Sequence, residues 1–324
     1  MKTTRSTLLH WAEQGRISPE DLQRALTLTG TLPTATDWRD FLDQLLLWYG
    51  TMMLGVGIIF FFSYNWNDLG RYTKFGLVEA LMIAGLIALG WLEVSRLSGK
   101  AALLGLSLLV GVLFVLIGQT YQTGADTFEL FALWAAAILP WVLVARFAAL
   151  WIFWLALVNL ATILYYQTFD GLFGMLFAPE QLLWVLLILN TTALVLWEGL
   201  VAMGVAWLHE RWAARVLATA AAGLATVLAL YAILDEHGNG SLTIPVWLTL
   251  LATVYFVYRQ RMLDVYVLAL GMLSVIMVVT IFLGKHMLDS MLDAGGLLFI
   301  GLVVIGLSGG AGWWLKQVVA KEVS

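Results

Sequence analysis

The sequence predicts an all-α polytopic membrane protein: a bundle of about ten transmembrane helices behind a small N-terminal helical cytoplasmic domain. Three observations carry that expectation. Hydrophobic residues fill 61% of 324 positions and charged residues only 12%, whereas a soluble domain is nearer half apolar and a quarter charged. Apolar stretches of roughly 20 residues, the length that crosses a bilayer, recur along the chain. Sixteen Trp supply indole rings that favour the water–lipid boundary. The absence of Cys excludes disulfides, thiolate metal sites and Cys nucleophiles.

Residues 1–42 read as the cytoplasmic domain, 43–316 as the bundle and 317–324 as a short cytoplasmic tail. Leu8, Leu9, Trp11 and Ala12 mark a short amphipathic helix ending near Gly15. A second helix starts at Ser18-Pro19-Glu20-Asp21. Ser18 caps it, Pro19 occupies the first turn without wasting an N–H, and the acids complement the helix dipole. Pro33 ends that segment, and Thr34 to Asp37 offer caps for a helix that enters the membrane. No uninterrupted apolar core of a signal peptide occurs in this stretch, so none is expected.

The spans fall roughly at 44–64, 75–93, 101–118, 128–145, 147–166, 181–199, 213–234, 242–258, 264–283 and 295–315. Trp197 to Arg215 is punctuated by Glu198, His209, Glu210 and Arg211, which points to a partly interfacial segment. The tight link at Arg146 leaves a reentrant pair as the alternative for spans four and five. With the N-terminus inside, fourteen bases lie on the cytoplasmic side: Lys2, Arg5, Arg16, Arg24, Arg39, Arg96, Lys100, Arg146, Arg211, Arg215, Arg259, Arg261, Lys316 and Lys321. Only Arg71, Lys74 and Lys285 fall outside. This asymmetry predicts that both termini are cytoplasmic.

The same alternation places two dense polar-aromatic breaks on the outer face. One is Ser63-Tyr64-Asn65-Trp66-Asn67-Asp68, and the other runs from Gln119 to Asp126. Tyr64, Asn65, Trp66, Asn67, Asp68, Gln119, Tyr121, Gln122 and Asp126 are therefore candidates for one outward-facing polar-aromatic site. The bland reading is that they end helices and solvate loops. Glu79, about 7 Å below the outer end of span two, joins them as an intramembrane carboxylate. Its bland reading is a side chain reaching back to Lys74 or Arg71.

Asn159 and Asn190 lie deeper; polar contacts between helices are the expected reading, and the transporter alternative would place both with Glu79 and Gln119 near a pathway. If residues 284–294 are helical, His286, Asp289 and Asp293 share one face, and with Asp235 and His237 of the neighbouring outward loop they form a weak pattern for a divalent metal. A solvated loop is the expected reading, and neither a metal nor a cofactor is predicted. Gly55, Gly57, Gly301, Gly306, Gly309, Gly310 and Gly312 read as close-packing positions. No Walker, Rossmann or nucleophile-elbow motif occurs, and no basic patch is dense enough for nucleic acid.

The run Gly55 to Trp66, the motif Leu116-Ile117-Gly118-Gln119-Thr120-Tyr121 with Gly124-Ala125-Asp126 and Leu133-Trp134, and the opening Trp11 to Ser18 occur in order. Together they resemble a family of predicted bacterial membrane proteins, domain of unknown function twenty-one fifty-seven, over about residues 8 to 145. The resemblance implies a multi-pass protein of the inner membrane, with other small membrane proteins as partners beside the lipid bilayer. It supplies no catalytic residue. Three functions follow as expectations. The first is a non-catalytic subunit of an envelope complex. The alternatives are a small-molecule, ion or lipid transporter and an intramembrane enzyme on a lipid-linked substrate. The enzyme ranks last because no nucleophile–base pair is recognisable.

Overall fold

The computed structural model describes residues 4–30, 32, 35–64, 70–94, 96–122, 124–169, 179–234, 242–288 and 294–323. Among these residues every regular element is helical. The protein is an all-helical polytopic membrane protein. It divides into two compact units, one over residues 1–161 and the other over 162–322.

The N-terminal helices form as their caps dictate. Helix α1 runs Thr4–Glu13, and Gly15 then takes the left-handed backbone at φ 69°. Helix α2 runs Pro19–Leu28. Ser18 Oγ accepts the Asp21 N–H at 3.1 Å and donates to Asp21 Oδ2 at 2.7 Å, which satisfies an otherwise orphaned first-turn amide. Helix α3, Ala35–Tyr64, continues unbroken across residue 42 into the first apolar stretch.

Four more helices build the rest of the first unit: α4 (Arg71–Trp91), α5 (Leu97–Tyr121), α6 (Thr127–Ala145) and α7 (Ala148–Phe169), the last crossing into the second unit. Arg146, at φ 46°, separates α6 from α7, and each is long and apolar enough to cross a membrane. Helix α5 is the central element. It buries Leu103, Val110 and Leu116, and the adjoining core contains Ile138, Val142 and Leu150. Ser107 is fully buried on α5 and organises two indoles. Its carbonyl accepts Trp134 Nε1 at 2.7 Å, and its hydroxyl accepts Trp141 Nε1 at 2.9 Å while donating to Leu103 O. Such pairing matters in lipid, where an unmet donor finds no water.

The second unit contains α8 (Pro179–Ala202), α9 (Arg211–Leu234), α10 (Thr243–Phe256), α11 (Val265–Leu288) and α12 (Ala294–Val323). Helix α9 packs against α8, α10 and α11 through a face of small residues, with Ala213, Ala214, Ala218, Ala221, Ala225 and Ala229 buried. A polar knot fixes three helices: Trp247 Nε1 donates to Ser274 Oγ at 2.9 Å, and the Ser274 and Thr226 hydroxyls are hydrogen-bonded at 2.6 Å. Lys285 Nζ donates to Ile233 O at 2.6 Å and so satisfies a carbonyl at the end of α9.

Nine of the described helices, α3 to α9 with α11 and α12, are long and apolar enough to span a membrane. The remaining predicted span, 242–258, is α10, which has 14 α-helical residues and then winds into a five-residue π-turn, Val257–Arg261. Glycine packing differs from expectation. A Cβ at Gly55 would lie 3.2 Å from Leu108, but one at Gly57, Gly301, Gly306, Gly309, Gly310 or Gly312 would meet nothing within 4 Å. Close approaches occur instead at Gly111, where a Cβ would fall 2.3 Å from the Trp134 ring, at Gly99, 2.3 Å from Glu93 O, and at Gly85, 2.8 Å from Leu106.

Candidate functional site

Several predicted site residues gather at one end of the first unit. Contacts of Gly55 with Leu108 and of Thr51 with Gly105 make α3 parallel to α5. Val78 packs against Leu116 and Gly85 lies over Leu106, so α4 is antiparallel to both. Tyr64, the start of α4 and the end of α5 therefore share a level. Tyr64 is 90% exposed. Tyr121 is exposed and its ring centroid lies 6.0 Å from that of Phe75. Gln122 ends α5 in the left-handed conformation, φ 43°, and exposed Asp126 precedes α6. Asn65, Trp66, Asn67 and Asp68 lie outside the described residues. Glu79 is exposed on α4 and makes no ion pair among the described residues; Arg71 instead donates to the Tyr72 hydroxyl at 2.9 Å.

Gln119 differs from its neighbours, because it lies at the end of a long groove. Helices α3 and α4 both pack on α5 rather than on each other, which leaves a cavity of about 1300 Å³ between them. Leu47, Leu92 and Ser98 line one end, and Ile58, Leu116 and Gln119 the other. From Ser98 to Gln119 the floor rises roughly 32 Å, at 1.5 Å per residue. The intervening lining is apolar except for Thr51, whose hydroxyl donates to Leu47 O at 2.8 Å. Small residues recur at four-residue spacing on each wall: Thr51 with Gly55, Ala84 with Ala88, and Ala101 with Gly105. Such pairs let helix backbones approach closely. Sequence reasoning found Gln119 but not the groove, since only the packing of α3 and α4 on α5 reveals it.

A second constellation, in the other unit, was missed by sequence reasoning. After α8 the chain turns at Gly204, φ 85°, and passes through a 3₁₀ turn at Ala206–Leu208 before α9. This brings Glu198, Arg211 and Arg215 beside Tyr258 of the π-turn and Asp264, the residue preceding α11. Arg211 donates to Glu198 Oε2 at 3.0 Å and to Asp264 Oδ2 at 3.1 and 3.2 Å. Arg215 Nε reaches Asp264 Oδ2 at 3.2 Å, and Tyr258 donates its hydroxyl proton to Glu198 Oε1 at 2.9 Å. Asp264 also caps α11 by accepting the Tyr266 N–H at 3.1 Å. Burial pushes the Asp264 carboxyl up, but the hydrogen bonds and charges of Arg215 and Arg211 outweigh it and hold the group below the ordinary carboxylate range.

Of the deeper polar residues, Asn159 and Asn190 each donate to the carbonyl four residues earlier in their own helix, at 2.8 Å. Asp235, His237, Asp289 and Asp293 fall outside the described residues, and no group of metal-binding side chains occurs among those described. His286 Nδ1 lies 3.1 Å from Phe282 O.

Fold and site together define a multi-pass helical membrane protein with a lengthwise apolar groove. Residues 9–151 match the family described as Predicted membrane protein (DUF2157), the same family the motifs resemble. That segment contains α2 to α6 and the whole groove. No curated protein and no solved structure matches the chain.

Proposed function

We propose that this protein is a non-catalytic subunit of an envelope membrane complex, and that its groove seats a transmembrane helix of a partner protein. The observation that carries this reading is a cavity as long as a membrane is thick. A lipid tail reaches only to the midplane, about 15 Å, whereas a spanning helix runs about 30 Å. A helix about 10 Å across occupies roughly 2,400 Å³ over that length. The groove, at about 1300 Å³, would take about half its cross-section and leave the rest to lipid. The paired small residues on all three walls favour backbone-close helix packing.

The transporter alternative draws less support. Among the described residues that line the groove none is ionisable, and Glu79 is not one of them. Ion or proton coupling ordinarily uses such groups. Location in the inner membrane with both termini cytoplasmic belongs to the same proposal, and the outer end of the first unit would then present Tyr64, Gln119 and Tyr121 beside the groove mouth.

A photo-reactive residue at Leu109, which lines the groove, tests the assignment in native membranes. The expected product is an adduct with a second membrane protein, mapped by peptide sequencing to an apolar segment of about 20 residues. Gly105→Leu, which fills the floor, should abolish it. Adducts with lipid alone, or with a second copy of this chain, overturn the reading. The chain has no native Cys, so single Cys placed at Asn67 and Thr123 report sidedness. Both should react with an impermeant thiol reagent from outside, and protection of either overturns the orientation.

A further inference from the structure

We propose that the junction of α9, the π-turn and α11 is a binding site for the phosphate of an anionic phospholipid, with Arg215 as its principal ligand. The inference is independent of the groove, since it rests on the second unit alone.

Arg215 is held for this role. Its Nε is committed to Asp264, at 3.2 Å to Oδ2 and 3.3 Å to Oδ1. Its guanidinium carbon lies 5.7 Å from the centre of the Tyr266 ring, and that ring is tethered through its hydroxyl to Thr219 at 2.9 Å. One edge of the guanidinium is therefore fixed. Its two terminal amino groups make no hydrogen bond among the described residues, and the side chain is 46% exposed. A planar fork with two free donors, held from behind, suits the paired oxygens of a phosphate.

The surroundings supply charge. Arg211 and Arg215 are balanced by Glu198 and Asp264, but Arg259 and Arg261 have no acidic partner among the described residues. Both lie on the π-turn, which Asp264 joins by donating its N–H to Tyr258 O at 3.3 Å. Glu210, next to Arg211, is a third acid at the junction and accepts the Trp212 Nε1 proton, so four arginines stand against three acids and the net charge there is positive by one.

Position selects a lipid headgroup over a dissolved phosphate. Arg211 and Val265 begin two membrane-spanning helices, so the junction lies at the level where such helices leave the bilayer. Trp212 and Tyr266 are partly exposed there, and Trp314 of α12 reaches the same end, 6.1 Å from Tyr255. Aromatic side chains at this depth mark the headgroup region, and basic pockets between helices beside it bind anionic headgroups.

The test uses the full chain in neutral detergent, titrated with phosphatidylglycerol, phosphatidylcholine or soluble glycerol phosphate and read by native mass spectrometry. Phosphatidylglycerol adducts should persist, while the other two should not. Arg215→Gln should lower phosphatidylglycerol retention roughly fivefold, and Arg39→Gln, at an exposed arginine of the first unit, should leave it unchanged. Arg215→Lys keeps the charge but not the fork, and should bind more weakly than the parent even where the Gln variant fails to fold. Unchanged retention in the Lys variant, equal retention of phosphatidylcholine, or full competition by glycerol phosphate overturns the proposal.

Discussion

Arg211 and Asp264 stand 53 positions apart in sequence, yet two nitrogens of the arginine converge on one oxygen of the aspartate at 3.1 and 3.2 Å. The Asp264 side chain is 1% exposed, whereas Arg211 remains 30% exposed. A buried carboxylate is thus compensated by a cation that keeps part of its hydration. Because Asp264 also caps α11, one side chain fixes both the start of that helix and its attachment to α9.

Asp264→Asn separates these two roles. Asparagine still accepts a capping hydrogen bond, so the start of α11 should survive. The lost charge leaves two arginines short of a counterion. Both are partly solvated, so the cost should fall below the roughly 3–5 kcal/mol of a fully buried broken pair, on the order of 2 kcal/mol. A denaturation midpoint of the full chain in detergent measures it, and a midpoint equal to the parent's would show that the ion pairs contribute nothing.

The same carboxyl sets an acid limit. Its folded pKa is depressed, since both arginines favour the ionised form. The unfolded state therefore binds the proton more readily, and the stabilisation is present above the ordinary Asp value of about 3.9 and lost as pH falls through the lower folded value. Stability from this group should be flat between about pH 5 and 8 and decline below about pH 4. The Asp264→Asn variant should lack that component, which paired pH titrations of the unfolding midpoint would reveal.

Ser107→Ala removes the acceptor of Trp141 Nε1 while keeping the carbonyl that holds Trp134. The stranded indole N–H lies in the apolar core of the first unit. Polar contacts between membrane helices average about 0.6 kcal/mol and reach about 1.7; this one should lie toward the upper part, because Ser107 is fully buried. Trp141→Phe should lose a similar amount, and the double variant should cost less than the sum of the two.

The class of fold was legible in the sequence because it depends on composition and on the length of apolar runs, which are local. The Ser18 cap was legible for the same reason. What failed was non-local. Glu198 and Arg211 read, with His209 and Glu210, as interruptions of a weak span, since nothing in the sequence places Asp264 beside them. The groove escaped for a related reason: Ala84, Ala88 and Ala101 are unremarkable until α3 and α4 both pack on α5. Glycine illustrates the limit sharply. The dense cluster at Gly309 to Gly312 invited a packing reading and meets no neighbour there, while the isolated Gly111 lies against an indole.

Gly111 and Gly118 lie on one helix and should respond oppositely to alanine. At both positions the substitution removes the helix penalty of glycine, worth up to about 1 kcal/mol. At Gly118 a Cβ would meet nothing within 4 Å, so Gly118→Ala should be neutral or stabilising. At Gly111 the new carbon would fall 2.3 Å from the Trp134 ring, which cannot withdraw without breaking its 2.7 Å bond to Ser107 O. Overpacking of this kind costs about 1–3 kcal/mol, which exceeds the propensity gain. Gly111→Ala should therefore lower the unfolding midpoint, and adding Trp134→Phe, which removes the Cη2 and Cζ2 atoms that the new carbon meets, should cost less than the sum of the two single changes. If the two glycine variants behave alike, the close packing of α5 against Trp134 is wrong.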